Sequence, residues 1–173
     1  MSRLLLPLAY FLAAMPGYAA LSEDRQKDSP SPKPPTYQTP KEWKSVEAGQ
    51  FLVARYQIGK GDRLASVTVA GLKGDGGGLS PNINRWRGQI GLEALSEKDA
   101  MKSLQPLKID GLPGHMLDIT GPEVAGKPTQ RILVVVVKRG DHTWFFNLKG
   151  QATLVGEQKE AFDGFLKSVR FEK

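Results

Sequence analysis

The chain has 173 residues, a formal net charge of +6 and no cysteine. This length is typical of a single domain with tails, and the lack of cysteine excludes disulfides, thiol nucleophiles and cysteine-based metal sites. The positive charge favours acidic partners weakly, but the chain has no dense basic run and no basic–aromatic repeat of the kind that binds nucleic acid. We therefore expect one domain that is stabilised by packing alone and has no nucleic-acid partner.

Residues 1–19 predict a secretory signal peptide. Arg3 gives the positive start, residues 4–15 form a short apolar core, and Ala19 suits the cleavage position, with Ala20 as the alternative. The apolar core is short for a membrane-spanning helix, and no later apolar run is long enough. We therefore expect an extracytoplasmic protein, periplasmic or secreted, that has no transmembrane segment after the signal is removed.

Residues 20–42 form a polar segment that is rich in proline and serine. A segment with so little apolar surface cannot offset the entropy that ordering costs. It therefore predicts a disordered tether, and a single folded domain should occupy residues 43–173. A spacer role is favoured over recognition of its prolines by a partner.

The first half of the domain predicts a hairpin followed by a short helix. Residues 50–58 and 64–72 have the composition of strands, and a glycine-containing turn separates them. The apolar members of the first strand are Phe51, Val53 and Tyr56. A glycine-rich turn then leads into a helix from Ser80 to Ile90. Ser80 suits the N-cap, and Gly91 suits the left-handed exit.

The second half predicts two helices and a strand hairpin. A short helix should start at Ser96, whose hydroxyl can cap it, and residues 107–110 and 113–120 should form strands. Residues 130–139 are apolar enough for a central strand and should pair with residues 142–149. Residues 157–168 predict an amphipathic helix. This order of elements indicates an α+β fold with one antiparallel β-sheet flanked by helices.

The predicted helix at residues 80–90 carries two neighbouring stripes, because successive helical residues turn by about 100°. The stripes comprise the polar residues Asn82, Arg85 and Gln89, and the apolar residues Ile83, Trp86 and Ile90. Amides and a guanidinium are rich in directional hydrogen bonds. We therefore select a candidate ligand-binding set for a planar or anionic group: Asn82, Arg85, Trp86 and Gln89. Alternatively, Arg85 and Gln89 hold loop carbonyls while Trp86 fills the core.

The glycine-rich turn matches neither common phosphate-binding motif. Leu79 and Ser80 stand where a Walker loop needs a Lys-Ser/Thr pair, and Leu79 replaces the third glycine of the dinucleotide motif. A helix N-terminus can still attract an anion. A small hydrolase or transferase that uses the glycine-rich loop and helix 80–90 as an anion-binding site is therefore the alternative function.

The chain offers no pattern for a catalytic, metal or cofactor site. His115 and His142 each lack a second histidine nearby in sequence. His115 and Asp118 lie three residues apart, which places them on opposite faces of a strand. We therefore expect no enzyme activity, no metal and no cofactor.

Five features together resemble small secreted bacterial proteins of uncharacterised function. They are Trp43 at the domain start, the first hairpin, the glycine-rich turn into the Asn-x-x-Arg-Trp-x-x-Gln helix at residues 82–89, the apolar hairpin at residues 132–148, and the closing residues 162–171. The layout of that group is similar to the PsbP/Mog1-like α/β/α sandwich. The resemblance implies a non-enzymatic role in binding or assembly. We predict a secreted binding or accessory module of the cell envelope, whose partner is an unknown envelope protein or a small anionic ligand.

Overall fold

The structure is a computed structural model and describes residues 33–61 and 63–172. The strands within these residues are β1 (Lys44–Val46), β2 (Ala54–Lys60), β3 (Arg63–Lys73), β4 (Gln105–Ile109), β5 (Leu112–Thr120), β6 (Gln130–Arg139) and β7 (His142–Gln151). The helices are α1 (Leu79–Gln89), α2 (Glu97–Lys102), α3 (Ala152–Glu157) and α4 (Lys159–Ser168). All strands pair antiparallel in one sheet, in the order β1-β2-β3-β7-β6-β5-β4.

The sheet has a separate hydrophobic core on each face, because successive side chains of a strand point to opposite faces. One core packs sheet residues such as Val67, Val135 and Phe146 against α3 and α4. The other packs Val134 and Phe145 against α1 and α2. Strand β6 has an uninterrupted apolar run because both of its faces are covered. The structure thus confirms the α+β sandwich of an antiparallel sheet between helices.

The start of β2 differs from the prediction. The strand begins at Ala54 rather than at residue 50, because Leu52 donates its backbone N–H to Gly49 and closes a turn there. Phe51 adopts a left-handed φ of +69° and is 74% exposed, and Val53 is also exposed. Of the three apolar residues assigned to this strand, only Tyr56 lies within β2, where it is buried.

Residues just before position 43 pack on the domain, so the predicted extent of the disordered tether is wrong. Thr36 and Arg170 exchange two backbone hydrogen bonds, and the backbone N–H of Gln38 donates to Ser168 Oγ at 2.8 Å. The Tyr37 ring packs edge-on against a core phenylalanine, with 4.8 Å between the ring centroids. Burial, together with the nearby Tyr56 hydroxyl, raises the pKa of Tyr37.

The folded domain therefore begins before residue 43, and the tether does not extend to residue 42. The segment is polar on average, but it contains Pro35, which is buried, and Tyr37, which is half-buried. The predicted signal peptide at residues 1–19 and the tether residues 20–32 lie outside the described residues. No helix in the described part of the chain combines the length and the apolar character that crossing a bilayer requires.

Candidate functional site

The start of α1 is built differently from the prediction. Its N-cap is Gly78, and no side chain caps it, so Ser80 does not have the predicted role. Instead, the Asn82 side-chain amide donates to the carbonyls of Gly76 at 2.8 Å and Gly78 at 2.7 Å. The backbone at residues 76–78 has positive φ throughout, which glycine adopts without strain and which turns these carbonyls toward the helix. Asn82 is 4% exposed and its amide holds the loop closed, so it does not face a ligand.

Trp86 belongs to the core between α1 and the sheet. Its side chain is 4% exposed and meets the Phe145 ring edge-on, with 6.2 Å between the centroids. Ile83 and Ile90, which share its stripe, are also buried. Trp86 therefore fixes α1 on β7 and does not offer a stacking surface to a ligand.

Arg85 and Gln89, the other two candidates, lie on the exposed side of α1. The Arg85 guanidinium stands 6.0 Å from the Trp86 ring centroid. Loop carbonyls are instead held by their neighbours: Asn84 donates to the carbonyl of Leu95 at 2.9 Å, and Arg87 donates to that of Glu93 at 2.7 Å. The loop carbonyls that Arg85 could have bound are therefore bound by Asn84 and Arg87, which lie outside the predicted polar stripe.

Gln89 connects α1 to an uncovered part of the sheet. Its side-chain oxygen accepts a hydrogen bond from Lys149 Nζ on β7 at 3.1 Å. Beyond this contact, β1, β2 and β3 continue the same face of the sheet, and their side chains there are exposed or half-buried. We call this surface the open face, and it comprises Arg55, Gln57, Ser66, Thr68, Asn147 and Lys149.

The strand register brings the members of the open face together in two rows. Arg55 pairs with Thr68, which in turn pairs with Asn147 on β7. In the next row, Ser66 lies between Gln57 and Lys149. Directly opposite residues of an antiparallel pair have Cβ atoms about 4.5–5.5 Å apart, so each row forms one continuous strip of polar groups. A cleft of about 410 Å³ lies over both rows. Its lining includes Arg55 from the first row and Gln57, Ser66 and Lys149 from the second.

The cations around the open face have no acidic partner. Elsewhere, Arg131 binds Asp118 with two hydrogen bonds of 2.7 and 2.8 Å. By contrast, no salt bridge within residues 33–61 and 63–172 involves Arg55, Arg85 or Lys149. None of the residues that line the cleft is acidic. Among the described residues, these cations are therefore left without an ion-pair partner, which favours an anion at this surface.

Two buried amide oxygens of β7 add an unusual polar feature to the same face. Asn147 Oδ1 and Gln151 Oε1 are inaccessible and accept no hydrogen bond. Both residues alternate with Leu148 and Gly150, which point to the other face. A buried acceptor without a donor is costly, so the row of side chains around Lys149 on this strand includes two amide oxygens whose hydrogen-bonding capacity is unused.

The glycine-rich loop forms hydrogen bonds within itself and with the turn between β6 and β7. Gly77 N–H donates to Asp75 Oδ1 at 2.9 Å, and the Thr143 hydroxyl donates to the Gly74 carbonyl at 2.7 Å. Gly74 N–H in turn donates to the carbonyl of Asp141 at 2.7 Å. A hydrogen bond from His142 keeps the pKa of Asp141 below its usual range. The loop is therefore fastened to the turn between β6 and β7.

The described residues contain no group of three His, Asp or Glu side chains that could hold a metal ion.

The open face was not predicted from the sequence. Its signal is the alternation of polar residues with buried ones along β2 and β3, which is equally typical of any solvated sheet face. Only the strand order and the extent of helix cover distinguish this candidate binding surface from an ordinary solvated sheet face.

No protein-family model and no curated protein matches this sequence. Among solved structures, LpqN of Mycobacterium tuberculosis, described as involved in cell envelope biogenesis, is similar with a TM-score of 0.54 and 10% identity, over 86% of this chain and 88% of LpqN. Cyanobacterial PsbP (CyanoP) of Synechocystis sp. PCC 6803 gives a TM-score of 0.48 and 14% identity, over 80% of this chain and 93% of that one.

A Bacteroides thetaiotaomicron VPI-5482 protein gives a TM-score of 0.49 and 13% identity over 79% of this chain, which spans 44% of the length of that protein. At such identities, the likeness to LpqN concerns the fold alone. It agrees with the α/β/α sandwich that the sheet and its helices form.

Proposed function

We propose that this protein is a non-enzymatic binding or accessory module of the cell envelope, and that its open face engages an anionic partner. The observation that carries the proposal is the placement of Arg55 and Lys149 in neighbouring rows of one sheet face, where the described residues provide neither a covering helix nor an acidic cleft residue. The description of LpqN as a protein of cell envelope biogenesis agrees with this role, although its likeness extends only to the fold.

The chemistry of the open face suits recognition of an anionic group that also carries hydrogen-bond donors. Arg55 offers planar donors that match carboxylate or phosphate oxygens. The hydroxyls of Ser66 and Thr68 and the amide of Gln57 can fix the orientation of the partner. Unpaired cations also raise the association rate with an acidic surface.

One observation favours the alternative function, a small hydrolase or transferase at the glycine-rich loop. Asp75 and His115 both line a cleft at the start of α1. However, Asp75 already accepts Gly77 N–H, and Thr143, the hydroxyl in this cleft, already donates to a backbone carbonyl. A nucleophile next to a general base is therefore not assembled there. Hydrolysis of a nitrophenyl ester or phosphate that His115→Ala abolishes would favour the enzyme.

The binding proposal predicts that Arg55→Gln/Lys149→Gln loses its partner. The full exported chain, immobilised and incubated with the envelope fraction of its own cells, should retain at least about 10-fold less partner in this variant, because both substitutions remove charges at the site. Retention by the wild type should also fall with added salt, which screens exposed charges.

Lys98→Gln/Lys127→Gln is the charge-matched control, since both of these lysines are exposed and lie outside the cleft. This variant should retain as much partner as the wild type. An equal loss in both double variants would show a nonspecific effect of net charge. Full retention by Arg55→Gln/Lys149→Gln would show that the open face is not the binding site.

A further inference from the structure

A second cleft, which we call the α1 cleft, lies on the same face of the sheet as the open face, but in the part that α1 covers. It measures about 340 Å³ and is bounded by the start of α1 and by strands β5, β6 and β7. Thr143, at one end of β7, lines the α1 cleft, whereas Gly150, near the other end, lines the cleft over the open face. The two clefts are therefore separate sites.

The walls of the α1 cleft are largely apolar. Leu79 contributes from the first turn of α1, Pro113 from β5 and Val136 from β6. Val136 is 5% exposed and belongs to the core, so the cleft extends down to the packed layer beneath α1. A volume of this size lies in the range of small-molecule pockets, about 300–1,000 Å³, which are lined mainly by apolar groups with a few polar ones.

Two basic side chains stand at the rim of these apolar walls. Lys138 follows Val134 and Val136 on the same face of β6, so an apolar row ends in an ammonium group. It pairs across the strands with Thr143, and His115 pairs with Val136. Both Lys138 and His115 are exposed, and neither forms a salt bridge within the described part of the chain.

The charges of the cleft favour a ligand with one anionic end. Asp75 is the acidic residue in the lining, and its Oδ1 accepts the backbone N–H of Gly77. Within residues 33–61 and 63–172, Lys138 forms no salt bridge with Asp75 or with another acid, and its ammonium group lies next to the apolar walls. A carboxylate at the rim would complement it, and an apolar body would bury the surface of Leu79, Pro113 and Val136.

We propose that the α1 cleft binds a small amphiphilic carboxylate, such as a medium-chain fatty acid. The carboxylate binds Lys138 Nζ, with His115 beside it as a second hydrogen-bonding group. The hydrocarbon part lies against Leu79, Pro113 and Val136. This site is independent of the open face and does not require the proposed envelope partner.

Titration of the wild-type protein with octanoate, followed by amide chemical shifts, tests the proposal. Saturable shifts should cluster at Leu79, His115, Val136 and Lys138. Lys138→Met keeps an unbranched side chain and removes the charge, so it should weaken octanoate binding by at least about 10-fold. Octan-1-ol has the same chain without the carboxylate and should bind about 10-fold more weakly than octanoate.

Lys60→Met is the matched control, because Lys60 is an exposed lysine at the end of the distant strand β2 and does not line the cleft. It should bind octanoate like the wild type, and so should Arg55→Gln/Lys149→Gln, whose substitutions lie in the other cleft. The proposal is wrong if octanoate does not saturate, if its shifts spread over exposed apolar residues such as Phe51, or if Lys138→Met binds it unchanged.

Discussion

Replacing Trp86 by alanine is expected to lower the free energy of unfolding by about 3–5 kcal/mol, as the loss of a large buried aromatic side chain does. Trp86 lies between α1 and β7 and packs on Phe145, so its removal leaves a cavity that rigid elements border on both sides. Chemical denaturation followed by circular dichroism measures the change. A loss below about 1 kcal/mol would contradict the placement of Trp86 in the core.

Arg85→Ala is the matched control on the same helix. Its guanidinium is exposed and lies near the Trp86 ring, while other side chains hold the loop carbonyls. The expected change in stability is within about 0.5 kcal/mol, the range of ordinary surface substitutions. A loss of about 1–3 kcal/mol would instead mean that Arg85 satisfies buried acceptors, as the sequence alone allowed.

A chain that begins at Lys41 should be less stable than one that begins at Lys33 by about 2–4 kcal/mol. The shorter chain lacks buried Pro35, the Tyr37 ring on Phe165, and the paired backbone bonds of Thr36. Removing them exposes part of the core around α4. Thermal and chemical denaturation of the two chains, measured side by side, gives the difference.

Two variants of the Lys33 chain separate packing from chain length. Tyr37→Ala should reproduce a large part of the loss, because the ring contributes much of the apolar contact. Pro34→Ala, at an exposed position, should leave the stability nearly unchanged. Equal stability of the Lys33 and Lys41 chains would mean that residues 33–40 are a tether after all.

The sheet was predictable because its strongest signals are local. The apolar run of β6 and the following Gly140-Asp141 turn specify a central hairpin without knowledge of the remaining chain. Ser96 likewise accepts the N–H of Asp99 and caps α2 as predicted. The start of β2 was less predictable, because Phe51 is a residue type that is common in strands yet adopts a left-handed backbone here.

The candidate site was only partly predictable, because helical spacing gives angles but not the position of the loops. Asn82 and Gln89 share one polar stripe, yet the first turns inward to the glycine carbonyls and the second reaches Lys149. Arg55 and Lys149 are far apart in sequence. Only the order β2-β3-β7 brings them to one face, and that order is not encoded in either segment alone.

The most direct test of the open face is site-specific photocrosslinking in the intact envelope. A benzophenone side chain is placed at Gln57, which is exposed on the open face, or at Glu160, which is exposed on α4 across the sheet. The protein with the probe at Gln57 should crosslink to one discrete partner on illumination, and Arg55→Gln/Lys149→Gln should abolish that product. The probe at Glu160 should give no such product. A discrete partner captured from Glu160 but not from Gln57 would contradict the proposed binding surface.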